Sequence, residues 1–313
     1  MSTETVTVKL STDEHGYVGK ECPEPECLGY FKVTPGTGLK GSDLPCHCPY
    51  CGYTGSHKRF YTPEQIAYAK SVVVRQFSDK LVATLKKMEF DHKPRGAFGI
   101  GMSLKVQPGE RPPIQQYRER KLETEIVCKN CDLHYAVYGV FGFCPDCRQH
   151  NSLQILESNL AIVGKMLDMA EQADRDLAEK LVENALEDCV SAFDGFGREL
   201  CRLHTTRHPE GRLDRWTFQN LETVRSNIRD NFGTDIAALV LDDEWKEALI
   251  AFQKRHLVSH KMGVVDQSYI EKTGDSRHAV GRKIEITAVE VRDLSRTLKM
   301  LAEDIAKIIL PRN

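Results

Sequence analysis

Nine of the eleven cysteines lie in the first half of the 313-residue chain, at 22, 27, 46, 48, 51, 128, 131, 144 and 147, mostly in close pairs. Such pairs, in a chain whose start does not read as a secretory signal, point to metal binding rather than to disulfides. Cys128-Lys-Asn-Cys131 and Cys144-Pro-Asp-Cys147 are separated by 12 residues. His134–Phe143 within that span reads as a hairpin, which brings the four thiolates to one tetrahedral zinc at about 2.3 Å per bond. Cys48-Pro-Tyr-Cys51 supplies half of a second site, and Cys22 and Cys27, with four residues between them, supply the other half. Cys46 is then surplus, either a substitute for Cys48 or a free thiol. His47 and His57 are lesser substitutes. Four protein ligands leave no open position for water, so both sites are expected to hold structural Zn2+, two ions per chain.

A second constellation closes the run from Leu241 to Gly263. An acidic start, Leu241-Asp-Asp-Glu, suits a helix N-terminus. An apolar stripe follows at Trp245, Leu249, Phe252 and His256, and the run ends on Arg255-His-Leu-Val-Ser-His260-Lys-Met-Gly263. Spacing alone gives His256 a place in the core, makes His260 a helix cap and leaves Arg255 a surface cation. His256 and His260 also have the i, i+4 spacing of a zinc pair, but no Glu lies between them and no third ligand is evident.

These groups need elements to position them. Residues 1–62 contain short strand-like runs at Thr5–Leu10 and Gly29–Val33, broken by Pro35-Gly-Thr-Gly38, and have little core of their own. Thr62-Pro63-Glu64 supplies an N-cap, a proline at N1 and an acid in the first turn, and predicts a helix to about Met88. Residues 91–115 are irregular, with one short strand near Ser103–Val106. Gly96-Ala-Phe-Gly-Ile-Gly101 lacks the Lys-Ser/Thr of a phosphate loop and reads as a turn. From Leu153 the pattern becomes helical, at 153–172, 176–204, 216–231, 243–262 and 287–309, with Gly233 and Gly263 as stops.

The fold class expected is therefore multidomain α+β. It comprises a zinc-bound β module at 1–62, a helix with a basic Gly/Pro-rich connection at 63–126, a second zinc-bound module at 127–152 and an all-α bundle at 153–313. Net charge is −2, so any contact with nucleic acid must be local. The segment 63–126 carries 12 basic and 8 acidic residues, a solvated face or a phosphate-contacting surface. His204 and His208, beside Arg202, Arg207, Arg212 and Arg215, read as a solvated basic turn open to RNA. No apolar run reaches the roughly 18 residues of a membrane span. A soluble, cytoplasmic protein without membrane contact is expected.

The two cysteine patterns resemble zinc ribbons. Arg255-His256-x-x-x-His260 resembles the Arg-polar-x3-His motif of the HEPN superfamily, helical domains that often act as metal-independent ribonucleases. Gly263-Val-Val-Asp266-Gln-Ser-Tyr269 and Gly281-Arg-Lys-Ile-Glu-Ile-Thr resemble the stretch after the motif in one branch of that superfamily. Leu186-Glu-Asp-Cys-Val-Ser-Ala-Phe-Asp-Gly-Phe-Gly-Arg-Glu-Leu200 is similar to its early core helix. Lys261 departs from the Asn common at that place. The resemblance spans about 153–313 and implies a HEPN-like bundle in which Arg255, His260 and His256 form the catalytic group. It also implies a homodimer that faces two motif helices across a cleft, and RNA as substrate. Similar proteins often serve as toxins or in antiviral defence.

The chemistry is coherent: a histidine moves protons near neutral pH, and an arginine fork suits a developing phosphorane. At 100° per residue Arg255 and His260 point about 140° apart, which the paired arrangement resolves. The alternative is a non-enzymatic adaptor that binds nucleic acid or protein through its ribbons and dimerises through a HEPN scaffold.

Overall fold

The computed structural model describes residues 6–41, 44–92, 102–122, 124–207 and 213–310. The architecture mixes small sheets with a helical C-terminal half, in two compact units, Met1–Gln149 and His150–Asn313.

In the first unit, β1 (Val18–Glu21), β2 (Tyr30–Val33), β7 (Thr124–Val127) and β8 (His134–Val137) form one antiparallel sheet in the order β1-β2-β8-β7. β2 pairs with β8 through Lys32 opposite Ala136 and Val33 opposite Tyr135. The two cysteine segments, read from sequence as separate modules, therefore share a sheet. Shared pairing gives them what neither has alone, a buried centre of Phe31, Phe60, Tyr135 and Val137 packed against the cysteines. β3 (Pro45–His47) and β4 (Thr54–Ser56) make a hairpin that carries the Cys48–Cys51 turn at its tip.

α1 (Pro63–Lys86) starts where the sequence placed it, with Thr62 and Gln65 forming a reciprocal capping box. A small hairpin of β5 (Phe90–His92) and β6 (Met102–Leu104) follows, so the expected strand begins one residue earlier than Ser103 and ends at Leu104. Val6–Leu10 carries no strand. Thr5 and the Gly96–Gly101 turn lie outside the described residues, as does the stretch 208–212 with His208.

The second unit is built from α2 (Ser152–Ala170), α3 (Arg175–Arg207), α4 (Leu221–Phe232), α5 (Asp242–Lys261), α6 (Gln267–Thr273) and α7 (Ala288–Ile309). α3 packs against α2, α5 and α7 around one core that includes Leu167, Phe193, Phe196, Phe252, Leu298 and Leu301. α4 starts at Leu221, not 216, because the Asn220 side chain accepts from the Thr223 N–H and ends the preceding turn. That turn is anchored from α3. The buried Asp194 carboxylate accepts from the Phe218 N–H at 2.6 Å, the Gln219 Nε2 at 3.1 Å and the Arg198 Nε at 2.9 Å. Gly197, one turn along, leaves room for the Phe218 ring, which a Cβ there would overlap. Gly233, at φ +68°, ends α4 in the left-handed conformation. Among the described residues no helix is long and apolar enough to cross a membrane.

Candidate functional site

Cys22, Cys27, Cys48 and Cys51 form one group, and Cys128, Cys131, Cys144 and Cys147 another, each able to hold a metal ion. The sulfurs of Cys22 and Cys51 are 3.6 Å apart, those of Cys27 and Cys48 3.7 Å. In the second group both Cys128–Cys147 and Cys131–Cys144 measure 3.6 Å. A disulfide would need about 2.05 Å. A tetrahedron with bonds of about 2.3 Å has edges of about 3.8 Å, close to what is observed.

A common turn builds the knuckles. Gly52, Asp132 and Arg148, each directly after a second cysteine, have φ of +72°, +58° and +60°. Their N–H groups donate to the carbonyls of Cys48, Cys128 and Cys144 at 3.0, 2.9 and 3.0 Å. The irregular first knuckle keeps this turn. Leu28 has φ +45°, and its N–H donates to Glu24 at 3.0 Å, so Glu24 stands where the others have a cysteine. The ligand is displaced two residues upstream to Cys22, whose N–H donates to Gly29 at 3.0 Å. This is the physical origin of the four-residue spacing.

The hairpin of the second group is not the one expected at His134–Phe143. β8 pairs with β7, upstream, so the turn of the hairpin is the Cys128–Cys131 knuckle itself. Cys46 belongs to neither group. It is fully buried on β3, and burial pushes its thiol up to about 12, which makes it an inert core thiol. His47 and His57 also stand outside the group, and His47 Nδ1 is tied to the Thr54 hydroxyl at 2.8 Å.

Within the clusters the thiols compete for charge. Burial pushes Cys22 up to about 12, while the hydrogen bond from Cys144 holds Cys128 down to about 5. Four sulfurs this close do not all ionise without a cation among them, and a divalent metal supplies that charge.

The second candidate site lies on the last turns of α5. His256 and His260 are both exposed, their ring centroids 4.8 Å apart and their planes inclined at 55°. The buried place expected for His256 is therefore wrong. At this turn the buried side chain is Leu257, which packs with Val265, Tyr269 and Ile284, and His256 points about 100° away from it around the helix. Desolvation and the neighbouring His260, Lys272 and Arg255 lower the His256 pKa from 6.5, against an opposing pull from Asp266. Arg255 is half-buried, with its Nε shielded from solvent and, among the described residues, without a hydrogen-bond partner.

A second layer braces this helix end. Met262 and Gly263, at φ +54° and +74°, turn the chain off α5. The Ile284 N–H donates to Gly263 at 2.7 Å and the Val265 N–H to Arg282 at 2.9 Å, so 263–265 and 282–284 run side by side. Leu257, Val265, Tyr269 and Ile284 form a small core beneath them. Between these runs the buried Asp275 accepts from the Tyr269 hydroxyl at 2.6 Å and Arg277 Nε at 2.8 Å, and shares a 2.9 Å hydrogen bond with His278 Nδ1. These partners hold its carboxyl well below the usual range despite burial. Lys254, buried on the same helix, donates to the Glu285 carbonyl at 2.7 Å and to Glu290 at 2.8 Å. Sequence reading passed over Asp275 and Lys254. The Asp275-Ser-Arg-His278 spacing was visible, but nothing marked it as a network.

Comparison with known protein families, with curated proteins and with solved structures gives no match.

Proposed function

We propose that the chain is an endoribonuclease of the HEPN type, with zinc at both four-cysteine groups as structural centres. The observation that carries the reading is two exposed imidazoles 4.8 Å apart beside Arg255 at the end of α5. Two adjacent histidines, one of them with its pKa lowered from 6.5 by desolvation and neighbouring cations, suit general acid–base chemistry, and an arginine fork suits a phosphorane. The bracing of 263–265 by 282–284 supports the same reading, because those residues carry the resemblance beyond the short motif.

In this mechanism His256, held neutral by its surroundings, takes the proton of a ribose 2′-hydroxyl. The freed oxygen attacks the adjacent phosphorus, and Arg255 balances the charge that builds there. His260 gives a proton to the departing 5′-oxygen. The products are a 2′,3′-cyclic phosphate and a 5′-hydroxyl end. Pairing of two α5 ends across a homodimer completes the cleft, and the cysteine modules recognise the RNA target or a protein partner. Zinc fits the sulfur geometry and, with four thiolates, stabilises fold rather than taking part in cleavage.

The test is incubation of purified full-length protein with total cellular RNA in EDTA, with zinc content measured at the end of the reaction. Cleavage by wild type and none by Arg255→Ala is the expected result. Equal cleavage by both overturns the reading and leaves the adaptor in its place.

A further inference from the structure

The helical unit holds a cavity of about 320 Å³ between α5 and α7. Its origin is a mismatch of side-chain size. Where α5 borders the cavity it presents Ala248 and Ala251, both buried, to Val291 and Leu294 of α7, and Leu186 of α3 adds to the apolar wall. Residues at i and i+3 share a helix face, and two alanines there are too short to fill the space between the helices. Cavities of roughly 300–1,000 Å³ between the helices of a bundle are a usual place for small ligands.

Charge decides the chemistry. Asp243, Glu244 and Glu247 of α5 and Glu290 and Asp293 of α7 line the cavity, against the cations Lys254 and Arg296. Both cations are already answered. Buried Lys254 donates to Glu290 at 2.8 Å and to the Glu285 carbonyl at 2.7 Å, and Arg296 meets Asp293 at 3.0 Å. Arg277, outside the lining, comes only to 3.7 Å of Glu247 and 4.0 Å of Glu290, and its Nε is held by Asp275. The lining therefore keeps a surplus of negative charge. The dipole of α5 accounts for the acids of its first turn, Asp243 and Glu244. Glu247 stands beyond that turn, and Asp293 lies beyond the first turn of the other helix. The acidic edge follows the cavity rather than a helix end.

We infer that this cavity binds a small aliphatic polyamine, its methylenes against the apolar wall and its ammonium groups against the carboxylates. Apolar walls under a negative rim complement a chain that alternates methylene runs with cations. A bare metal ion gains nothing from the walls, and an uncharged apolar ligand gains nothing from the rim. At about 30 Å³ for a water-sized group, the volume holds about ten such groups, the heavy-atom count of a linear triamine. The inference does not rest on the ribonuclease reading, since it concerns the packing of α5 on α7 alone.

The experiment is calorimetric titration of the full-length, zinc-loaded protein with spermidine. One site per chain is expected, half-saturated below about 1 mM and weakened by salt. Spermidine acetylated at both ends keeps the chain but loses two charges, and should bind about tenfold more weakly. Mg2+ should displace spermidine no better than a monovalent salt of equal ionic strength. Glu247→Gln and Asp293→Asn, both at exposed positions, should each weaken binding roughly two- to fivefold. Ala251→Leu fills the cavity and should abolish binding with circular dichroism unchanged; the two exposed acids carry the test if overpacking unfolds that variant. Wild type without saturable binding, or full affinity in both acid variants, overturns the proposal. So does specific displacement by Mg2+, or full affinity in a folded Ala251→Leu protein, either of which means an acidic surface and no cavity site. Binding of a lysine-rich peptide without binding of spermidine overturns it in favour of a protein partner.

Discussion

His256 and His260 stand side by side on one exposed face of α5, 4.8 Å between ring centroids, rather than one in the core and one in solvent. That relationship changes the expected behaviour of three variants. His256→Ala, which a buried histidine would make a stability mutant, should keep its melting temperature within about 2 °C, because the lost side chain covers no core. RNA cleavage by His256→Ala and His260→Ala should each fall by about 100-fold or more, and by a similar factor in Arg255→Ala. Thermal melts and cleavage rates on one defined RNA read both quantities. A His256→Ala protein that melts far below wild type with full activity per folded molecule would return His256 to the core.

Activity should also depend on pH in a definite direction. His256 must be neutral to accept a proton, and its pKa is lowered from 6.5. The neutral form is therefore fully present at neutral pH and is lost as pH falls through that lowered value, which places the acid limb of the rate profile below 6.5. Lys272 is one of the cations that disfavour protonation. Lys272→Ala should raise the His256 pKa and move the acid limb to higher pH while leaving the plateau rate nearly unchanged. A limb that stays in place removes His256 as the base.

Metal content should separate two cysteines that sequence alone leaves as alternatives. Purified protein should carry about two zinc ions, one at each four-sulfur group. Cys46→Ser should keep both, since Cys46 is a buried thiol outside the group. Cys48→Ser should lose one, and Cys128→Ser should lose the other with greater loss of structure, because its knuckle turns the β7–β8 hairpin. Metal analysis after native purification decides among these. Equal losses in Cys46→Ser and Cys48→Ser would refute the grouping.

Local signals were the legible ones. The Thr62 cap, the Gly233 stop and the Cys-x-x-Cys pairs each depend on residues within one turn, and sequence spacing reports such distances directly. Pairing across the chain was not legible. β2 meets β8 across about a hundred residues, and neither strand alternates strongly enough to announce its partner. The first knuckle looked irregular because its turn is conserved in backbone shape while its ligand moved two residues upstream, a substitution of Glu24 for cysteine that spacing counts as noise. His256 was misplaced for a related reason. The i, i+4, i+7, i+11 stripe stays within about 60° on a 3.6-residue helix, but at the last turns of α5 the buried side is set by Leu257 packing with Val265, Tyr269 and Ile284, a contact across the chain that spacing does not report.

The last prediction concerns two glycines on α3 that look alike in sequence. Gly195 and Gly197 flank Phe196 in Phe193-Asp-Gly-Phe-Gly. A Cβ at Gly195 meets nothing within 4 Å, whereas one at Gly197 would overlap the buried Phe218 ring. Both lie in the interior of a 33-residue helix, where alanine is favoured over glycine by about 0.5–1 kcal/mol. Gly195→Ala should therefore stabilise the helical unit by roughly that amount. In Gly197→Ala the same propensity gain is outweighed, because the Phe218 backbone is fixed by Asp194 and its ring packs against Phe193 at 5.7 Å, so neither retreats freely. Overpacking of a fixed core ring costs about 1–3 kcal/mol or more, a net loss of about 1–2 kcal/mol after the helix gain. Chemical denaturation of the two variants reads opposite shifts from wild type. Stabilisation by both would mean that Phe218 does not pack against the Gly197 backbone.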